Sequence, residues 1–236
     1  METWLSLIQF GPDGWGDELA AGAWLTVRLA LATLPFGLVL GLLVAAAKAS
    51  GNRALRAFGN AFTTVFRGLP ELLTIFLVFY GGQVLLQRLV DLFFDAQVTI
   101  SSFVAGFVAL GLVFAAYSSE VFLGASRAIP RGLFDAGAAL GMRRIPLLVL
   151  VILPQFVRLA LPGIANLWLV LLKDTSLVSI IALDDLMRMT YVAVGATKEP
   201  FPLYLTALLI YLAMSIVSSF GIVGIERWSE RGVRRT

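Results

Sequence analysis

A chain of 236 residues in which 59% of the side chains are hydrophobic and only 14% charged, with a mean hydropathy of +0.89, lies far outside the composition of a water-soluble domain and belongs in a membrane. It contains no Cys and no His, which excludes disulfides, thiolate chemistry, cysteine-ligated metals and the usual general base near neutral pH. The net charge of +3 reads as basic residues gathered at one membrane face, not as a nucleic-acid surface.

Residues 1–18 carry Glu2, Asp13, Asp17 and Glu18 without any Lys or Arg, so they lack the basic start of a cleavable signal peptide and are expected outside. The apolar run 4–10, closed by Gly11 and Pro12, is too short to cross and is expected to lie along the surface as an interfacial helix. Five longer runs can span. The first, 19–47, is interrupted only by Arg28. The second, 55–86, holds Arg67 and Glu71 around Gly68 and Pro70 and is expected to be one helix bent there. The third is 100–122, with Glu120 near its inner end. The fourth, 147–172, is broken by Pro154 and Pro162 and carries Arg158, and the fifth, 202–225, has no charge. Between the last two, 176–183 is apolar but short, and is expected as a re-entrant or packed outer segment.

The basic residues set the orientation. Lys48, Arg53 and Arg56 follow the first span, Arg127, Arg131, Arg143 and Arg144 lie between the third and fourth, and Arg227, Arg231, Arg234 and Arg235 follow the fifth. Fewer, namely Arg88, Lys173, Arg188 and Lys198, fall on the other side, where Asp91, Asp95, Asp184, Asp185 and Glu199 collect. This bias predicts an all-α integral membrane protein with its N-terminus outside and a cytoplasmic C-terminus, organised as a single domain over 1–236 with a cytoplasmic tail at 226–236.

The inner loop 126–146 is unusual for a connector. Ile129, Leu133, Ala136 and Leu140 fall at helical spacing and form an apolar stripe, while Gly137 and Gly141 strip another face of side chains so that a partner backbone can approach. A bulky residue at Gly141 is therefore expected to block such an approach. An amphipathic helix lying on the inner leaflet, or against the chain's own spans, fits the pattern equally well.

These residues resemble the cytoplasmic motif of bacterial ATP-binding-cassette importer permeases, E-A-A, three residues, G, nine residues, I, one residue, L-P. Here the positions are Asp135, Ala136, Gly137, Gly141, Val151, Leu153 and Pro154, with Asp for Glu, Gly for the second Ala and Val for Ile. FRGLPELL at 66–73, SSEVFLGASRAIPRG at 118–132 and LLKDTSLVSII at 171–181 look like segments of the polar amino-acid uptake family. The resemblance implies a type I importer permease fold in the bacterial cytoplasmic membrane. Asp135, Ala136, Gly137, Leu140, Gly141, Leu153 and Pro154 would then couple to a cytoplasmic ATPase dimer. It further implies a second, similar or identical permease and an extracytoplasmic solute-binding protein as partners. ATP and Mg would be bound by the ATPase, and the sequence has no phosphate-cradling glycine loop of its own.

The charged residues within or at the ends of spans are the candidate solute path. Glu71 follows Arg67 by four residues, so the two either neutralise each other or serve a solute. Glu120 either faces inner-side water or pairs with an arginine of the loop. Lys173 and Asp174 end the fourth span, to meet solute or as a solvated end. No clustered acidic pair lies within one span, which argues against an enzyme. The expected function is ATP-driven import of polar, basic amino acids or opines; the rival is a stand-alone secondary carrier or channel, to which the lack of an evident inverted repeat is adverse.

Overall fold

The computed structural model describes residues 4–93 and 96–229, and every regular element among them is a helix. Arg231, Arg234, Arg235 and Asp95 lie outside the described residues. Among the described residues five helical stretches are long and apolar enough to cross a membrane: Gly16–Ala49, Glu71–Asp91, Ser102–Ala128, Arg144–Ile181 and Pro200–Ile225.

The interfacial expectation at the start reduces to one helical turn, α1 (Trp4–Leu7), whose Leu7 is buried while Leu5 and Phe10 are exposed. Trp4 Nε1 donates to Thr206 Oγ1 at 2.9 Å, tying this turn to the last helix. Helix α2 (Gly16–Ala49) has 34 residues and, at 1.5 Å per residue, is about 50 Å long, well beyond a hydrocarbon core of about 30 Å.

The second span departs from the expected bent helix. Helix α3 (Arg53–Gly68) starts at Asn52, whose side chain accepts from the Ala54 N–H, and stops where Leu69 is forced into extended backbone by Pro70. Helix α4 (Glu71–Phe76), a π-helical turn (Leu77–Gly81) and α5 (Gly82–Asp91) then form the spanning segment. The break is complete because Pro70 both fixes its own backbone and denies the preceding residue a helical one.

Helix α6 (Ser102–Ala128) is the most enclosed span and runs parallel to α2. Gly37 faces Phe114, and Gly41 faces Ser118 and the Ala115 carbonyl; Ser118 Oγ donates back to the Gly37 carbonyl at 3.3 Å. Lipid tails are as apolar as the helices, so close approach over small residues, with van der Waals contact, is what holds such a pair together.

Helix α7 (Arg131–Ala139) follows, then the fourth span as α8 (Arg144–Leu147), a π-helical turn (Leu148–Ile152), α9 (Leu153–Asp174) and a 3-10 turn (Thr175–Ile181). Neither proline breaks it: the π turn ahead of Pro154 accommodates the missing N–H and the ring, and Pro162 lies inside α9. The short apolar segment packs inward. Val178, Ile181 and Leu183 join Leu29, Ile75, Leu110 and Phe114 in the main core. Helix α10 (Leu186–Thr197), unforeseen from the sequence, begins at Asp185 and lies against α2, where a Cβ on Gly22 would come within 2.9 Å of the Asp185 carbonyl. Helix α11 (Pro200–Ser229) closes the described chain.

Candidate coupling loop and solute path

The chain direction places α7 and the C-terminal ends of α2 and α6 at one end of the bundle, called the loop end below. In α7 the expected apolar stripe divides between two faces. Ile129 and Leu133 pack inward with Leu147, Ile152 and Met142, whereas Ala136 and Leu140 are exposed, Leu140 to 80%. Asp135, Ala136, Ala138, Ala139 and Leu140 are all exposed, as are Arg131, Gly132 and Phe134.

The two glycines differ in what they do within the chain. Gly137 is buried, and a Cβ there would collide with the Leu147 side chain. Gly141 has φ +67° and nothing within 4 Å of a notional Cβ. Its N–H donates to the Ala138 carbonyl and the Met142 N–H to the Gly137 carbonyl, both at 3.0 Å, which closes the helix with a left-handed turn. At Gly141 the left-handed backbone by itself calls for glycine. Leu153 and Pro154 sit exposed at the start of α9, just past the π turn.

The candidate path residues fall into three groups. Arg67 does not pair with Glu71, because the break at Leu69 and Pro70 carries them onto separate helices. Its Nη1 instead lies 3.3 Å from Glu120 Oε1, and its guanidinium carbon lies 5.4 Å from the centre of the Tyr117 ring. Glu120 meets neither the loop arginines nor open water alone: the same Oε1 accepts from Lys48 Nζ. Lys48, counted among the basic residues of the inner side, has a side chain only 7% exposed and also donates to Thr63 Oγ1 at 3.2 Å. These residues, with Asn60, Thr64, Gly68 and Tyr117, line an open chamber of about 450 Å³.

Glu71 and Asp174, from two different spans, line one constriction, bounded otherwise by Tyr117 and the apolar Leu110, Val113, Phe114, Leu167, Val170 and Leu171. The sequence statement that acidic residues do not cluster within a span holds, but two spans bring a pair together. The space beside them is about 20 Å³, room for about one water, so this conformation is closed at the pair. Lys173, next in sequence to Asp174, turns away and lines a separate cavity of about 290 Å³ with Ser176, Tyr204 and Tyr211. The sequence marked Lys48 only as a basic residue on the inner side and did not single out Thr63; the contact of Lys48 with Glu120 spans 72 positions, and no local pattern announces it.

Residues 37–235 match the family described as the binding-protein-dependent transport system inner membrane component. The chain belongs to that family. Among similar proteins, the nopaline transport system permease protein NocQ of Agrobacterium fabrum is 44% identical over 232 residues, covering 98% of both chains. The octopine transport system permease protein OccQ of Rhizobium meliloti is 41% identical over 98% of each. The histidine/lysine/arginine/ornithine transport system permease protein HisQ of Escherichia coli is 36% identical over 94% of this permease and 97% of that one. In structure the permease resembles an amino acid ABC transporter solved with histidines, with a TM-score of 0.81, 26% identity and coverage of 96% and 99%. The inward-facing MetNI methionine transporter shares the fold, with a TM-score of 0.73 at 20% identity over 90% and 96%. The permease is therefore a multi-pass inner-membrane transporter subunit, not an enzyme, and is similar to permeases named for opines and amino acids.

Proposed function

We propose that this permease forms the solute path of an ATP-driven importer of cationic amino acids or related opines, together with a second, similar or identical permease. The observation that carries the cationic preference is the Glu71 and Asp174 pair. Two carboxylates at one constriction of low dielectric repel, and an ammonium or guanidinium between them removes the repulsion while satisfying both. Among the relatives, the names of the histidine/lysine/arginine/ornithine and arginine permeases agree with such a solute.

In this reading the N-terminus is outside, the C-terminus cytoplasmic and the loop end cytoplasmic. The exposed face of α7, from Asp135 to Leu140, then meets a cytoplasmic ATPase dimer, which binds ATP and Mg. An extracytoplasmic protein delivers the solute. The closed space at Glu71 and Asp174 must open for a solute to enter, so the differential affinity of the ATPases for two arrangements of the permeases drives the exchange.

The test is uptake by the complete assembly in proteoliposomes. Arg or Lys should be taken up in preference to Glu, and Glu71→Gln and Asp174→Asn should each reduce Arg uptake about tenfold or more, the worth of a charge-assisted contact. Preference for Glu would overturn the reading.

A further inference from the structure

The chamber at the loop end has an unbalanced charge. Lys48 and Arg67 both reach Glu120, and every other lining residue is neutral. One carboxylate against two cations leaves one positive charge in excess, in a polar cavity of about 450 Å³.

The excess belongs to Arg67. Lys48 is enclosed and engaged by both Glu120 and Thr63, whereas the Arg67 side chain is 45% exposed. Arg67 also stacks over Tyr117, which leaves the planar fork of the guanidinium as the accessible cation of the chamber. Such a fork matches a carboxylate with two parallel hydrogen bonds. Tyr117 lines both this chamber and the constriction at Glu71 and Asp174, so the acidic pair and the basic chamber are neighbours across one ring.

We propose that this chamber is a carboxylate subsite, in which Arg67 takes the carboxylate of a solute whose cationic group is recognised at Glu71 and Asp174, with Glu120, itself fixed by Lys48, holding Arg67 in place. The inference rests on the cationic-solute reading. It adds that the solute must carry an anionic end, so that a simple organic amine or guanidine is discriminated against within the membrane subunit.

The experiment is equilibrium binding of radiolabelled L-arginine and of agmatine, the same cation without its carboxylate, to the permease–ATPase assembly in nanodiscs without the external binding protein. The intact assembly should bind arginine about tenfold more tightly than agmatine. Arg67→Gln should bring arginine to the agmatine level and leave agmatine within about twofold, and Arg67→Lys should retain part of the preference. Equal binding of the two ligands by the intact assembly overturns the subsite and leaves the cationic site standing, as does equal weakening of both by Arg67→Gln. If glutamate binds and arginine and agmatine do not, the cationic reading has failed; the subsite is then decided by glutamate against 4-aminobutyrate in the same Arg67→Gln assembly. Binding of none of the four overturns both.

Discussion

Lys48, at the end of the first span, donates to Glu120 of the third, with the lysine almost wholly enclosed. Removing one partner of such a pair strands the other. Glu120→Gln is expected to lower stability by about 2–3 kcal/mol, somewhat less than for a fully enclosed pair because Glu120 is 34% exposed. The double variant Lys48→Met, Glu120→Met should recover most of the loss, since both desolvated charges are then gone. Thermal unfolding of the purified protein in detergent decides this, and a double variant no better than the single one would refute it.

Gly137 and Gly141 separate by mechanism. Gly137→Val should cost about 1–3 kcal/mol through its collision with Leu147, and Leu147→Ala should relieve part of it. At Gly141, substitution by Ala should cost about 1–2 kcal/mol from left-handed backbone, with Asn the best tolerated replacement. Gly141→Leu should therefore lose transport by disordering the end of α7, and Gly141→Asn should retain most of it. Comparable loss in both would instead point to crowding at a partner surface.

Because the chain has no native Cys, a single Leu140→Cys change introduces a unique thiol at an 80% exposed position. In a membrane-impermeant maleimide assay it should react in inside-out vesicles and not in intact cells. Bound ATPase should protect it. Labelling from the outside would reverse the proposed orientation.

Gly22 lies against backbone, which cannot yield as a side chain end can. Gly22→Ala, with its Cβ within 2.9 Å of Asp185 and Leu186 backbone atoms, should cost about 1–3 kcal/mol by forcing α10 away from α2. A melting temperature equal to that of the parent protein would show that the helices separate freely.

Asp185, in the connection between the fourth and fifth spans, caps α10 by accepting from the Arg188 N–H at 2.9 Å through Oδ1, while its enclosed Oδ2 has no partner among the described residues. Burial pushes this carboxyl up to about 7 from an ordinary value of 3.8. Between those values the folded protein keeps a proton that the unfolded chain releases, so stability falls as pH rises through that window and levels off above about 7. Melting temperatures should thus be higher at pH 6 than at pH 8 in the parent protein. Asp185→Asn should retain the cap and flatten that difference, and a persisting slope would assign it to another group.

Length and apolar continuity made the five spans legible, and the spacing from Asp135 to Pro154 marked the position of α7. The division of the second span was only half legible: Pro70 announced a bend, but the restriction it places on Leu69, together with the amphipathic character of α3, turns a bend into two helices. The path residues were legible as costly charges and illegible as pairs. Arg67 and Glu71 stand at a spacing that neutralises within a continuous helix, and the break between them frees each for a partner supplied by another helix. Glycine at 137 and 141 was visible as smallness, while the difference between a packing contact and a left-handed turn exists only once the backbone is closed.

The hydrogen bond from Trp4 to Thr206 joins residues separated by 202 positions in sequence. During synthesis the leading turn must wait beside the lipid headgroups until the last helix has left the translocon. This clasp is thus among the final contacts to form, and a chain truncated before Thr206 would leave the indole N–H without this acceptor.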